Sequence, residues 1–362
     1  MKLRWENCLV HLDNDALAVL DGYFRRPKKN CLLIAGAGFD PRALYVGEKL
    51  HSALGDGLHA LLIREDRGDP SKELMDAANA NEARFRDLIS STEVRTIDIF
   101  DPQDRAAIGG RKIVETLNQF TWASEISDVV LDVSALSIGV IFPAASFLLT
   151  KFKDTNTNVH IVIASNPEMD AAIVGEPTEK AIDIQGFKSS VLQGDGQAAN
   201  IWMPHLVKES GQTLENIFRT VEDIYKICPI LPFPAKNPRR ADDLISEYTS
   251  TLADAWEIAP RDFMYVSEWN PLDTYRALST MKSRFFKTVD KYYKPQIVLS
   301  PIGSKVMAVG AFMAAYEHKM QVRYVETYRY DVRRRLSSIQ NVDNIQLVHI
   351  WADGPVYAGI RP

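Results

Sequence analysis

The segment SPIGSKVM (300–307) sets a glycine, a hydroxyl and a lysine in successive positions, Gly303, Ser304 and Lys305. An apolar run precedes it and an apolar helical pattern follows, so the three sit at a strand-to-helix turn. Backbone N–H groups at a helix start, a hydroxyl and an ammonium together suit an anionic group, a phosphate above all. The GxxxxGK[ST] spacing of a P-loop is not met. A capped helix start with a solvated lysine is the competing reading of the same residues.

A second turn of this kind lies in CLLIAGAGFDPRAL (31–44). Gly36 and Gly38 allow a sharp bend and a close approach to another group. Asp40 fits an N-cap, Pro41 fits the first helical position, and Arg42 adds a cation. Pro41 stands where the dinucleotide fingerprint has its third glycine, and the acidic residue near the expected spacing is either Glu65 or Asp66, so an NAD site is poorly supported. In LDVSALSIG (131–139), Asp132 and Ser134 end a strand and are placed to contact a ribose or to cap a helix. Glu268, Asn270, Asp273 and Arg276 crowd another strand end. Asp40, Asp132, Glu268 and Asp273 are therefore the acid–base candidates. The anion-binding candidates are Gly36, Gly38, Arg42, Ser134, Asn270, Arg276, Gly303, Ser304 and Lys305. Asp273 and Arg276 also have the spacing of an ordinary helical ion pair. RRADD (239–243) reads first as a solvated helix start, and RRR (333–335) as a basic face. The seven histidines form no HxH, HExxH or HxxxH set, so no metal is expected, and the cofactor is undefined. There is no GxSxG elbow, and Cys31 in a buried strand reads as an inert thiol.

These turns need a sheet to hold them. Apolar segments at 31–36, 58–63, 93–99, 127–133 and 158–164 alternate with helical patterns at 41–54, 71–90, 106–121 and 138–152. Such alternation specifies a mostly parallel sheet with helices on both faces. Two strand-to-helix turns, GAGFDPR and LDVSALSIG, then share one sheet edge and face one crevice. The rhythm breaks over 165–240, where Gly175, Gly186, Gly194 and Gly196 mark turns and a helix is expected at 213–226. CPILPFPAKNPRR carries four prolines, which argues against a helix or a central strand and for an extended crossing. A helix follows at 242–256. The α/β rhythm returns with strands at 263–268, 296–300, 321–326 and 345–351 and helices at 272–287 and 303–317.

The halves repeat. FDPRAL (39–44) resembles NPLDTYRAL (270–278), and LDVSALSIGVIFPAASFLL (131–149) resembles VLSPIGSKVMAVGAFMAAY (298–316). The expected fold is α/β with two Rossmann-like lobes, mostly parallel sheets and an internal duplication. The divisions are a lead-in helix over 1–30, a first lobe over 31–165, a connecting segment over 166–260 and a second lobe over 261–362. A duplicated pair would set four junctions around one cleft.

Net charge is −5 and the pI near 5.9, which argues against bulk nucleic-acid binding. Cys8, Cys31 and Cys228 are far apart with no CxxC pair, as in a reducing, cytoplasmic setting. No apolar run nears the ~20 residues that span a bilayer, and the charged N-terminal stretch does not read as a signal peptide.

The turn in VLSPIGSKVMAVGAFMAAY resembles that of CARF domains, Rossmann-like sensors of cyclic oligonucleotides in CRISPR defence, and the repeat resembles the doubled arrangement of SAVED domains. The resemblance covers about twenty residues, and Pro301-Ile302-Gly303 replaces the usual doubled glycine. It implies that Ser304 and Lys305 contact ligand phosphate and that Gly36 and Gly38 do so in the other lobe. Three functions stay open: a nucleotide-binding sensor or regulator in a bacterial antiviral defence system; a hydrolase or transferase acting on a nucleotide or phosphorylated metabolite; or a degenerate Rossmann scaffold acting through a protein partner or as a homo-oligomer.

Overall fold

In a computed structural model, the structure describes residues 3–27, 29–189, 198–289, 292–332 and 344–358. Gly194, Gly196 and the RRR run at 333–335 lie outside the described residues. The strands are β1 (Val10–Leu12), β2 (Cys31–Gly36), β3 (Leu58–Asp66), β4 (Thr92–Asp98), β5 (Asp128–Asp132), β6 (Asn158–Ser165), β7 (Ile173–Asp183), β8 (Ala198–Pro204), β9 (Ile224–Ile227), β10 (Ile230–Pro232), β11 (Met264–Val266), β12 (Lys294–Ser300), β13 (Gln321–Val332) and β14 (Gln346–Asp353). The α-helices are α1 (Asp13–Phe24), α2 (Tyr45–Leu54), α3 (Lys72–Leu88), α4 (Gly109–Gln119), α5 (Ile138–Lys151), α6 (Pro167–Ala172), α7 (Gly211–Phe218), α8 (Arg240–Glu247), α9 (Pro271–Val289) and α10 (Lys305–His318). The chain forms two units, one of Met1–Glu176 with Tyr328–Pro362 and one of Pro177–Thr327.

The first unit is built on a sheet in the order β1-β14-β6-β5-β2-β3-β4. Its five strands from β2 to β6 are parallel. Counted along the chain, their spatial order is 3-2-1-4-5, the doubly wound arrangement whose switch point lies between β2 and β5. β2 is buried throughout, as its unbroken apolar run requires. β4 closes one edge and carries the Glu93–Arg95 ion pair there, a charged edge that discourages further strand pairing. At the other edge β14 runs antiparallel to β6 and to β1.

The last strand thus belongs to the first unit, not to a second lobe over 261–362. Leu347, Val348 and Ile350 are buried there against β6 and β1, which fixes its place. The span 166–260 is likewise no mere connector, because it supplies β8, β9 and β10 to the second unit. Its turn-forming glycines and prolines hide short strands. The helix expected at 213–226 stops at Phe218, and Ile224–Ile227 becomes β9, as its β-branched residues prefer.

In the second unit the sheet order is β7-β13-β12-β8-β9, with β10 paired to β11. A bridge from His205 to Ile230 continues the pairing of β8 beyond β9, so β9 and β10 act as one interrupted strand. The order of β8, β9–β10, β11, β12 and β13 is again 3-2-1-4-5. Proline does occupy a central strand here, contrary to expectation. The Pro229 carbonyl accepts from Met264 N at 2.9 Å and the Ile230 carbonyl from Leu206 N at 2.9 Å, while Phe233 N donates to Val266 at 2.7 Å. The ring nitrogens fall where no donor is needed.

The duplicated topology corrects one half of the sequence repeat. LDVSALSIG spans the end of β5 and VLSPIGSKV the end of β12, each the fourth strand of its set. FDPRAL follows the first strand of one set, but NPLDTYRAL follows the third of the other. The latter likeness reflects generic cap and Pro-N1 chemistry at any strand-to-helix turn.

Candidate functional site

In the first unit the structure brings Gly36, Gly38, Asp40, Arg42, Asp132 and Ser134 to the carboxyl edge of β2 and β5. A side chain at Gly36 would stand 2.8 Å from the Ala135 carbonyl oxygen, so the close approach this glycine permits is made to the chain itself. Asn81 donates to the Gly38 carbonyl at 2.8 Å. Asp40 accepts the Arg42 backbone N–H at 2.9 Å as an N-cap and holds the Arg42 guanidinium at 3.0 and 2.7 Å. The remaining arm of Arg42 reaches Asp170 at 2.7 Å. Burial opposes the charge on Arg42, but Asp170 and Asp40 outweigh it and raise its pKa above the ordinary value. Asp132 accepts the Ser134 N–H and hydroxyl, and that hydroxyl in turn accepts from Ala164 N at 2.8 Å.

Glu65 completes this closure. Its Oε1 accepts the Ser137 N–H at 2.7 Å, at the N-cap of α5, and its Oε2 pairs with Arg67 at 2.8 Å. An oxyanion therefore does sit on this helix N-terminus, and the protein supplies it. Nearby aromatic groups are also engaged. The Tyr330 ring lies 5.5 Å from Phe39 with the Arg67 guanidinium 5.0 Å from it, and the Tyr328 ring lies 5.9 Å from Phe100 with that of Arg105 at 4.6 Å. Each arginine cation rests on a tyrosine face.

In the second unit the corresponding turn after β12 is built differently. Gly303 has φ +88°, in the left-handed region, and a side chain there would stand 2.4 Å from Val207 Cγ2. Ser304 is the N-cap of α10, its hydroxyl accepting from Met307 N at 3.5 Å, and Lys305 is the first helical residue. A hydroxyl and an ammonium thus occupy the turn topologically equivalent to the one that receives Glu65 in the first unit. The β11–α9 turn holds the other candidates. Asn270 accepts from Leu272 N at 3.1 Å, Asp273 from Ser267 N at 2.7 Å, and Glu268 from Lys236 N at 3.1 Å. Arg276 is exposed on α9.

Three features escaped the sequence. His205, at the end of β8, is buried with neither ring nitrogen hydrogen-bonded among the described residues, and burial pushes its pKa down to about 3. Asn200, Gln296, Gln321 and Arg323 line a cavity of about 40 Å³ in the second unit. The third is a row of side chains across four adjacent strands of the first unit. His11 meets His349 at 3.0 Å, His349 meets His160 at 2.9 Å, and His160 meets Asp128 at 3.2 Å. Asp128 also accepts from Lys29 at 2.9 Å, Tyr23 at 2.7 Å, Ser127 at 2.6 Å and Asn158 at 3.1 Å. Burial works against its ionisation, but the hydrogen bonds from His160, Ser127 and Lys29 prevail and hold it well below the usual carboxylate range. Because that carboxylate only accepts, His160 donates through Nε2. His349 then donates to His160 through Nε2, and His11 to His349 through Nδ1, when all three rings are neutral. No HxH or HxxxH spacing announces this row, since each member comes from a different strand. Among the described residues no group of three or more His, Cys, Asp or Glu is arranged to hold a metal ion. No helix among them is long and apolar enough to cross a membrane. All three cysteines are free thiols.

The fold and these turns define an α/β protein of two doubly wound units. No protein-family model matches the chain, and no curated protein does. Among solved structures it is similar to an uncharacterized protein from Mycobacterium Paratuberculosis, at 8% identity over 80% of this chain and 75% of that one, with a TM-score of 0.25. It is also similar to the NH3-dependent NAD synthetase from Campylobacter jejuni subsp. jejuni NCTC 11168, in complex with the nitrate ion, at 10% identity over 84% of this chain and 92% of that one, with a TM-score of 0.22.

Proposed function

We propose that the protein is a nucleotide-binding sensor or regulator whose phosphate site is the Gly303-Ser304-Lys305 turn of the second unit. One observation carries this reading. The equivalent turn of the first unit receives the Glu65 carboxylate 2.7 Å from a backbone N–H, whereas the second presents Ser304 and Lys305 there. A terminus of this kind takes an oxyanion, and the hydroxyl and positive charge beside it suit a phosphate. The resemblance of the same turn to that of CARF domains, and of the two-unit arrangement to SAVED domains, supports a cyclic or linear oligonucleotide as ligand and a place in a bacterial antiviral defence complex. The first unit, with its polar groups engaged by one another, serves as scaffold.

Regulation is favoured over catalysis by how the carboxylates are used. Asp132, Glu268 and Asp273 each accept backbone N–H groups of nearby turns, which suits fixed geometry better than proton transfer.

The test is native mass spectrometry of the purified protein, then a thermal-shift panel of mono-, di- and cyclic oligonucleotides. A retained or stabilising nucleotide is the expected result. Lys305→Ala is expected to weaken its binding about tenfold or more, the loss of a charge-assisted hydrogen bond worth ~1.5–3 kcal/mol. Because Lys305 is half-buried, the melting temperature and circular dichroism of the variant without ligand are recorded alongside, so that a loss of affinity is read only from folded protein. No stabilisation by any member, or unchanged affinity in Lys305→Ala, would overturn the reading. Turnover of the bound nucleotide would replace it with an enzyme.

A further inference from the structure

At the amino edge of the second unit's sheet, three adjacent strands carry polar side chains where buried parallel strands are normally apolar. Asn200 on β8 and Gln296 on β12 are direct neighbours in register, and Gln321 on β13 is the neighbour of Val298. Gln296 is only 5% exposed. With Arg323 they line one cavity, roofed by the 220–223 turn. Its volume, about 40 Å³, accommodates a small planar group or two to three waters.

Much of the hydrogen-bonding capacity of these side chains is used. Ser189 donates to Gln296 Oε1 at 2.8 Å, and Asn200 Nδ2 donates to the Glu222 carbonyl at 2.6 Å. Arg323 binds Asp183 at 3.2 Å and the Thr220 carbonyl at 2.8 Å, which offsets its charge. Gln321 donates to the same Asp183 oxygen at 2.7 Å. Three buried atoms keep no partner among the described residues: Gln296 Nε2, Arg323 Nε and Asn200 Oδ1. An unsatisfied buried polar atom costs ~1–3 kcal/mol, and here three belong to residues that line a single cavity. Two donors and one acceptor complement a carbonyl beside an N–H. A phosphate would have no donor for Asn200 Oδ1 and would meet the negative charge of two lining residues, Glu222 and Asp223.

We infer that this cavity takes the lactam edge of a nucleobase of the guanine, hypoxanthine or uracil type, through Gln296, Asn200 and Arg323. The cavity lies at the amino edge of the sheet and the Gly303-Ser304-Lys305 turn beyond its carboxyl edge, so this is a separate nucleoside site that shares no residue with the proposed phosphate site. The carbonyl of the lactam accepts from Gln296 and Arg323, and its N–H donates to Asn200. Adenine, whose corresponding edge reverses donor and acceptor, fits poorly.

The experiment uses phosphate-free nucleosides, so that Lys305 plays no part. Millimolar inosine or uridine is titrated into the 15N-labelled full chain, and the side-chain amide resonances of Gln296 and Asn200 are followed. Saturable shifts are expected with inosine and uridine. They should weaken about tenfold with N1-methylinosine or 3-methyluridine, in which the N–H is blocked, and in Gln296→Leu. Equal shifts from the methylated nucleosides, or none from any nucleoside, would overturn the inference. The second outcome would reduce the cavity to a hydrated pocket. Since the methylated pairs test the wild-type chain, a misfolded variant does not spoil the measurement. Nucleotide binding lost in Lys305→Ala alongside absent nucleoside shifts would sink this inference and leave the proposed function standing; the converse pattern would do the reverse.

Discussion

Asp128→Asn is expected to destabilise the first unit by about 3–5 kcal/mol, the cost of removing one partner from a buried ion pair. The Asp128 side chain is fully buried and Lys29 is 15% exposed. Its two oxygens accept from Lys29, Tyr23, Ser127, Asn158 and His160. An amide would turn one acceptor into a donor amid those donors. Urea unfolding followed by tryptophan fluorescence checks it, since Trp5 and Trp351 lie in this unit. The same row makes the unit acid-sensitive. Burial lowers the pKa of His160 and His349, and for His349 the neighbouring His160 and His11 add to the effect. His11 is lowered by burial and raised in part by Asp15. The other ionisable groups around the row are Lys29, Tyr23 and Cys31. Histidines with folded values below the unfolded one of ~6.5 bind more protons when unfolded, so their stabilisation is complete above that pH and declines below it. Asp128, also lowered, adds a further loss as pH falls below ~4. Stability should therefore fall steadily from pH ~6.5 downward, and His349→Gln should flatten the upper part of that slope. A pH-independent unfolding midpoint between 7 and 5 would contradict the assignment.

Arg42→Met is expected to cost a similar ~3–5 kcal/mol and to leave nucleotide affinity unchanged in whatever fraction remains folded. The guanidinium is 4% exposed and bridges Asp40 and Asp170. Methionine fills most of the volume but leaves the Asp40 carboxylate buried with the Arg42 N–H as its remaining contact from that residue. Asp170, at 37% side-chain exposure, is resolvated more cheaply. Differential scanning calorimetry with nucleotide titration separates the two effects. A normal melting profile with lost binding would return Arg42 to the ligand site and make the first unit more than a scaffold.

The α/β class was legible because its strongest signals are local. Leu32-Leu33-Ile34 and Val129-Val130-Leu131 are unbroken apolar runs, and both prove to be central parallel strands. The β12–α10 turn was legible for the same reason, since Gly303, Ser304 and Lys305 are contiguous. Long-range partners left no such trace. Glu65 reaches Ser137 across 72 residues, and His349 reaches His160 across 189. Arg42 looked like a free cation because its second carboxylate, Asp170, comes from α6. β14 was assigned to the wrong unit because a strand pattern specifies burial and not which sheet receives it. β10 was missed because its prolines argue against a ladder, and only the register shows that their missing N–H groups are not needed.

The central claim is that an external oxyanion binds at the second unit's turn while the first unit's is already filled. Backbone amide shifts in a 1H–15N spectrum test it most directly, on adding the nucleotide that stabilises the protein most. The account predicts saturable shifts at Ser304, Lys305 and Val306, and none at Ser137, where Glu65 already holds the N–H. Shifts at Ser137 and Gly38 with none at Ser304 would contradict it.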